Sequence, residues 1–208
     1  FVLKNKKNLP YINYDPFKTI TGRLATRLNS FPILTMDKAY RKIIKPDNNW
    51  FVEFDFNAAE LRVLLGLLGK EQPQEDMHEW NAKNVYRGLA TREEAKKRIF
   101  AWLYNPNSKD SLSSGAYDRD SVVQKYFNED QVSTFFTRTI KADKHHALNY
   151  ILQSTAADLF FKQMSKVWKL LEGRQSKVAF CMHDSLVIDY CEEDNDILMK
   201  LKRAFSDT

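Results

Sequence analysis

The strongest constraint in this sequence is a change of period at Asp55. From Trp50 to Phe56 the run WFVEFDF alternates aromatic or aliphatic residues with acidic ones, the two-residue period of a strand. From Ala58 the run AAELRVLLGLLG switches to the spacing of a helix that packs closely on its neighbours. A strand turning directly into a buried helix puts a carboxylate, Asp55, at the junction. Asp55 is flanked by apolar residues, an expensive place for an unpaired charge.

A second carboxylate stands in a similar setting. Lys177 to Met182 and Leu186 to Tyr190 read as two strands around a tight turn, His183-Asp184-Ser185, so Asp184 sits at the tip of a hairpin. Between these two places the pattern is mainly helical. Helices are expected near His78 to Tyr86, Arg92 to Tyr104 and Asp118 to Phe127. The longest runs from Asp143 to Leu171, with a stripe of Leu148, Leu152, Thr155 and Leu159, and a closing helix covers Asp194 to Phe205. Asn105 to Gly115 reads as a loop, and Phe1 to Lys18 as polar and extended. Strand, helices, hairpin and helix together predict an α+β fold with an antiparallel sheet.

Composition narrows the classes. The 208 residues can bury a real core, and 28% charged with 43% hydrophobic residues excludes disorder and collagen as whole-chain descriptions. The net charge of +5 hints at a polyanionic partner. Two cysteines make neither a disulfide framework nor a zinc site, so a reducing compartment is expected. The longest apolar run, Val63 to Leu68, is far below the ~20 residues of a membrane span. No secretion signal is expected, and a start at Phe1 suggests a fragment. No GxGxxG or phosphate loop occurs.

Four constellations carry possible chemistry. Asp55 and Asp184 are each either turn or cap residues or, together, ligands of a divalent cation. Arg92, Lys96, Phe100 and Tyr104 recur every four residues and share one helix face. Two cations followed by two aromatics suit a triphosphate at one end and a sugar and base at the other; the plain alternative is a solvated basic helix. His145, Asn149 and Gln153 form a polar row that suits a minor groove or simply faces water. TGRL, Thr21 to Leu24, places Arg23 after a glycine.

Read together, these segments resemble the family A DNA polymerases. TGRLATRLNSFP resembles the family's TGRLSS segment. FDFNAAELRVLLGLLG resembles motif A, D-Y-S-x-I-E-L-R. DMHEWNAKNVY resembles D-x-H-x-x-T-A. REEAKKRIFAWLYN resembles motif B, R-x-x-x-K-x-x-x-F/Y-G-x-x-Y-G. ALNYILQSTAADL resembles the N-x-x-x-Q-G-T-A-A-D helix, and CMHDSLV resembles the V-H-D-E of motif C. The six occur in family order from about Thr19 onward.

The resemblance implies a polymerase palm with an antiparallel sheet and a compact helical fingers subdomain. It assigns 1–77 to the palm with motif A, 78–142 to the fingers with motif B, and 143–208 to the palm with motif C. The implied function is template-directed DNA synthesis on primer–template DNA with dNTPs and two Mg²⁺ ions. Asp55 and Asp184 would be the metal ligands, with the Phe56 carbonyl. His78, Arg92 and Lys96 would contact the triphosphate, and Lys96 would protonate the leaving group. Glu60 would crowd the 2′ position and Phe100 would pack on the sugar. Tyr104 would sit by the templating base. Arg23, Asn149 and Gln153 would line the minor groove, and His183 would lie near the primer terminus. A thumb and an exonuclease domain would lie outside this piece, and the setting would be the cytoplasm of a bacterial or phage-infected cell.

Several positions depart from the family pattern. Ser185 stands where motif C usually has Glu, which implies weakened metal binding. Ala101 and Asn105 replace the motif B glycines, His145 an Arg, and Ser154 a Gly, and FPILT replaces PNLQN. Trimmed fingers point to a phage-type branch. The competing classes are a two-metal nuclease and a binding-only fragment.

Overall fold

The computed structural model describes residues 11–207. The expected extended segment lies largely outside them. The described chain forms two compact units, one of residues up to Phe56 together with those from Leu159 on, the other of Asn57–Asp158.

The first unit is built on a three-stranded antiparallel sheet. Its strands are β3 (Trp50–Asp55), β7 (Lys177–Met182) and β8 (Ser185–Tyr190), in the order β3–β8–β7. The central strand β8 is buried at all six positions. Alternation explains this, because Leu186, Ile188 and Tyr190 enter one apolar cluster while Val187 enters another with Ile33, Phe180 and Met182. The first cluster is closed by a helix, Leu198–Ser206, whose Phe205 stacks on Phe54 and Phe56. A short hairpin, β1 (Tyr14–Asp15) with β2 (Ala25–Thr26), adds the Tyr14 hydroxyl, which donates to the Cys181 carbonyl at 2.6 Å and accepts from its N–H at 2.9 Å.

The second unit is mostly helical. Its helices are α1 (Ala59–Leu67), α2 (Met77–Trp80), α3 (Arg92–Tyr104), α4 (Ser111–Ala116) and α5 (Arg119–Tyr126). A π-helical turn, Asn81–Val85, continues α2. Thr91 and Glu94 form a capping box that fixes the start of α3. Its buried stripe of Ala95, Ile99, Trp102 and Leu103 packs with Leu61, Leu64, Met77, Ile151 and Leu152. Helix α6 (Lys144–Leu171) is a single helix of 28 residues, close to the expected span. Its first half contributes Ala147, Leu148, Ile151 and Leu152 to the second unit's core. Its second half contributes Phe160, Val167 and Leu171 to the first unit's core.

Four expectations need correction. The stretch 105–115 is not all loop, because Asp110 caps α4 by accepting from the N–H groups of Leu112 and Ser113. A small sheet, β4 (Phe127–Asn128), β5 (Gln131–Ser133) and β6 (Thr139–Lys141), follows α5 where no strand was expected. Strands of two or three residues are too short to show alternation. The closing helix begins as a 3₁₀ segment, Glu192–Ile197, kinked at Asp194, and becomes regular as α7 (Leu198–Ser206). The hairpin turn is His183-Asp184 alone, since Ser185 already pairs with both Met182 and Asp55.

Candidate functional site

In the first unit, register brings the two carboxylates together. Asp55 ends β3 and is the cross-strand partner of Ser185, the residue after Asp184. His183, at the first turn position, takes a left-handed φ of +54°, and Asp184 follows it. The Asp55 carboxyl is pushed up from 3.8 to about 6. Partial withdrawal from water is the largest cause, followed by the charges of Asp184 and Glu53, while a hydrogen bond from the Phe56 N–H opposes them. The expectation that apolar neighbours hem Asp55 in is corrected. Phe54 and Phe56 point into the core on the opposite face, and Asp55 as a whole residue is exposed. Glu53 shares its face, a neighbour visible in the i, i+2 spacing.

The donor set is two carboxylates and backbone oxygen. Among the described residues no group of three or more His, Cys, Asp or Glu could enclose an ion. Two hard oxygen ligands with an unmet need for positive charge fit Mg²⁺, which keeps several waters or phosphate oxygens. Arg23 leaves a turn in which Gly22, at φ +78°, donates its N–H to the Thr19 carbonyl at 3.2 Å. His183 is exposed.

In the second unit, the expected ridge on α3 runs beside the buried stripe, and its Phe100 is partly buried against the same core. Lys96 is exposed, and Phe100 stacks on Tyr104 with ring centres 5.8 Å apart. The Tyr104 hydroxyl donates to the carboxylate of buried Glu60, 44 residues away in sequence. The buried His78 ring meets Phe100 edge-on at 5.5 Å, and its Nδ1 has no hydrogen-bond partner among the described residues. Burial pushes the His78 imidazole down, with Lys96 and Arg92 pushing the same way and Asp76 opposing. Glu60, Tyr104, Phe100 and His78 therefore form one connected row.

Arg92 is engaged at both ends of its guanidinium. Asp76 accepts from Nε at 3.1 Å and Nη2 at 2.9 Å, and Glu93 accepts from Nη1 at 2.6 Å. Asp76 opens the DMHEWNAKNVY segment but was assigned no role from sequence, although Asp76 with Glu79 three residues on is a helix-start signal. Asn149 and Tyr104 line one cavity of about 440 Å³ with Arg119, Lys144 and His145. The Asn149 Oδ1 is buried without a partner among the described residues, and Gln153 is half-buried. Arg119, also missed, is buried and donates to the carbonyls of Trp102, Asn105, Pro106 and Ser108, closing the end of α3.

The structure matches the POL domain of Pol1 from M. smegmatis, solved in complex with DNA primer-template and dNTP, with a TM-score of 0.72. The match covers 91% of this chain and 43% of that one at 17% identity. The chain thus has the fold of a polymerase domain. No protein-family model matches it.

In sequence it is similar to DNA polymerase I, the family A type, over nearly its whole length. It is 23% identical to DNA polymerase I of Borreliella burgdorferi over 97% of this chain and 28% of that one. It is 23% identical to the thermostable DNA polymerase I of Thermus aquaticus over 93% and 29%. The chain therefore spans less than a third of these curated relatives. Among the described residues no helix is long and apolar enough to cross a membrane.

Proposed function

We propose that the chain carries out template-directed DNA synthesis, adding dNTPs to a primer 3′ end by two-metal nucleotidyl transfer. The observation that best supports this is the placing of Asp55 beside Asp184, the neighbour of its cross-strand partner Ser185, with a charge repulsion that a cation relieves. Two Mg²⁺ ions, when bound, would supply charge to activate the 3′-hydroxyl and to stabilise the leaving pyrophosphate. Asp55, Asp184 and the Phe56 carbonyl would hold them. Ser185 in place of a third carboxylate makes that hold weaker.

Arg92, Lys96 and His78 would bind the triphosphate, and Lys96 would give the leaving group its proton. Glu60, fixed by Tyr104, would exclude a 2′-hydroxyl, while Phe100 packs on the sugar and Tyr104 lies by the templating base. Arg23, Asn149 and Gln153 would line the minor groove of the new pair, with His183 beside the primer terminus. In this reading 1–77 and 143–208 serve as palm and 78–142 as fingers. A thumb would belong to the whole polymerase, with or without an exonuclease domain, and the setting would be a bacterial or phage-infected cytoplasm.

Primer extension by the full gene product with dNTPs and Mg²⁺ tests the reading. A polymerase lengthens the primer, a nuclease shortens it, and a binding module leaves it unchanged. Asp55→Ala and Asp184→Ala should each abolish lengthening; extension surviving both changes rejects the assignment.

A further inference from the structure

We infer that Asp76 is a positioning residue that presents Arg92 to a triphosphate, and that Glu93 is the exchangeable counter-ion the triphosphate displaces. The inference rests on the reading that Arg92 binds a dNTP.

Asp76 accepts five hydrogen bonds. Its Oδ1 takes the N–H groups of His78 and Glu79, both at 3.0 Å, and the Nε of Arg92 at 3.1 Å. Its Oδ2 takes the Nη2 of Arg92 at 2.9 Å and the amide of Asn57 at 2.7 Å. Three of the five donors are not from Arg92, so the carboxylate is fixed before the guanidinium docks. Asn57 is pinned in turn. Its Oδ1 accepts from the Met77 N–H at 2.7 Å, and its carbonyl accepts from the Nε of Arg62 at 2.9 Å. Arg62 also donates to the carbonyls of Pro73 at 2.8 Å and Glu75 at 3.0 Å. Asp76 therefore belongs to a rigid polar frame.

The two carboxylates on Arg92 are held unequally. Asp76 is 23% exposed and sits in that frame, whereas Glu93 is 67% exposed and reaches Arg92 from the adjacent residue. Asp76 occupies the Nε and Nη2 edge of the guanidinium and leaves Nη1 as the edge that can change partner. Glu93 covers Nη1 with one exposed carboxylate, a weak contact in water. A triphosphate brings several charged oxygens to the same donor and outcompetes it. The site also lies at the first turn of the 13-residue helix α3, where the helix dipole favours an added anion.

The test is equilibrium binding of a dNTP to the full gene product with primer–template, read by fluorescence quenching. Wild type is compared with Glu93→Gln and Asp76→Asn. Asparagine keeps an oxygen for the His78 and Glu79 N–H groups, so the start of α2 is retained. Glu93→Gln should tighten dNTP binding roughly two- to five-fold, the range open to an exposed ion pair. Asp76→Asn should loosen it on the order of tenfold by losing a bidentate charged contact. Primer–template affinity should be unchanged in both.

Structural damage does not tighten a ligand, so the gain in Glu93→Gln separates displacement from a fold effect. No tightening in Glu93→Gln, or unaltered dNTP affinity in Asp76→Asn, overturns the assignment, while wild-type primer extension keeps the DNA-synthesis reading intact. If Asp76→Asn also loses primer–template affinity, the Glu93→Gln result alone decides. A wild type that neither binds dNTP nor extends a primer sinks both.

Discussion

Removing the charge of Asp55 should stabilise the metal-free protein while destroying its proposed chemistry. The Asp55 carboxyl rises from 3.8 to about 6 in the fold. A rise of that size corresponds to about 3 kcal/mol at ~1.4 kcal/mol per pH unit. Asp55 is an exposed residue, and solvent screening reduces the figure to about 1 kcal/mol.

The sign follows from linkage. Well below pH 4 the group is protonated in both folded and unfolded chains, and it costs nothing. Between pH 4 and 6 the unfolded chain releases its proton first, so folding stability falls as pH rises. Above pH 6 the full penalty is present. In EDTA, Asp55→Asn should therefore match wild type at pH 4 and exceed it by about 1 kcal/mol at pH 7.5. For a chain of 208 residues that is about 2–4 °C in Tm. Urea denaturation at the two pH values measures the difference, in which titrating groups that do not interact with Asp55 cancel. Adding Mg²⁺ should then stabilise wild type and leave Asp55→Asn unmoved. A variant no more stable than wild type at pH 7.5 refutes the idea that the fold holds the Asp55 charge at a cost, through partial burial first and the Asp184 charge second.

Three further outcomes are expected. Glu60→Ala should raise ribonucleotide incorporation by roughly tenfold or more in single-nucleotide extension by the full gene product; Tyr104→Phe, which removes only the hydroxyl that holds Glu60, should do so less. Arg119→Met should cost about 2–4 kcal/mol in chemical denaturation, because the carbonyls of Trp102, Asn105, Pro106 and Ser108 lose a common donor. Tyr14→Phe should cost about 1–2 kcal/mol in the same assay, since the Cys181 N–H and carbonyl both lose their partner.

The parts of the fold that sequence revealed are those with a long local period. The strand before Asp55, the hairpin around Asp184 and the helix Lys144–Leu171 each repeat their pattern often enough to be read. Helix α4 was hidden because Gly115 and three serines imitate a turn, and only the Asp110 cap gives it a start. The strands of 127–141 have too few residues to alternate. The candidate site divides in the same way. The Arg92–Tyr104 ridge lies on one helix and was legible, whereas the contacts that hold it were not. Glu60 meets Tyr104 across 44 positions, and Asp76 meets Arg92 across 16, by tertiary packing that no local pattern encodes. The flanks of Asp55 misled for a related reason, since neighbours in sequence point to opposite faces of a strand.

The link between Tyr14 and Cys181 has a consequence for association between molecules. Strand β7 ends the order β3–β8–β7, so among the described residues one side of it has no neighbouring strand in the sheet. Such an edge is a template on which a strand from another copy can grow. Here the Tyr14 hydroxyl already occupies the Cys181 N–H and carbonyl, and the register slips between Val178 and Phe180. A tyrosine tip and a bulge thus interrupt the edge within four residues, and they keep a small sheet from becoming the seed of an aggregate.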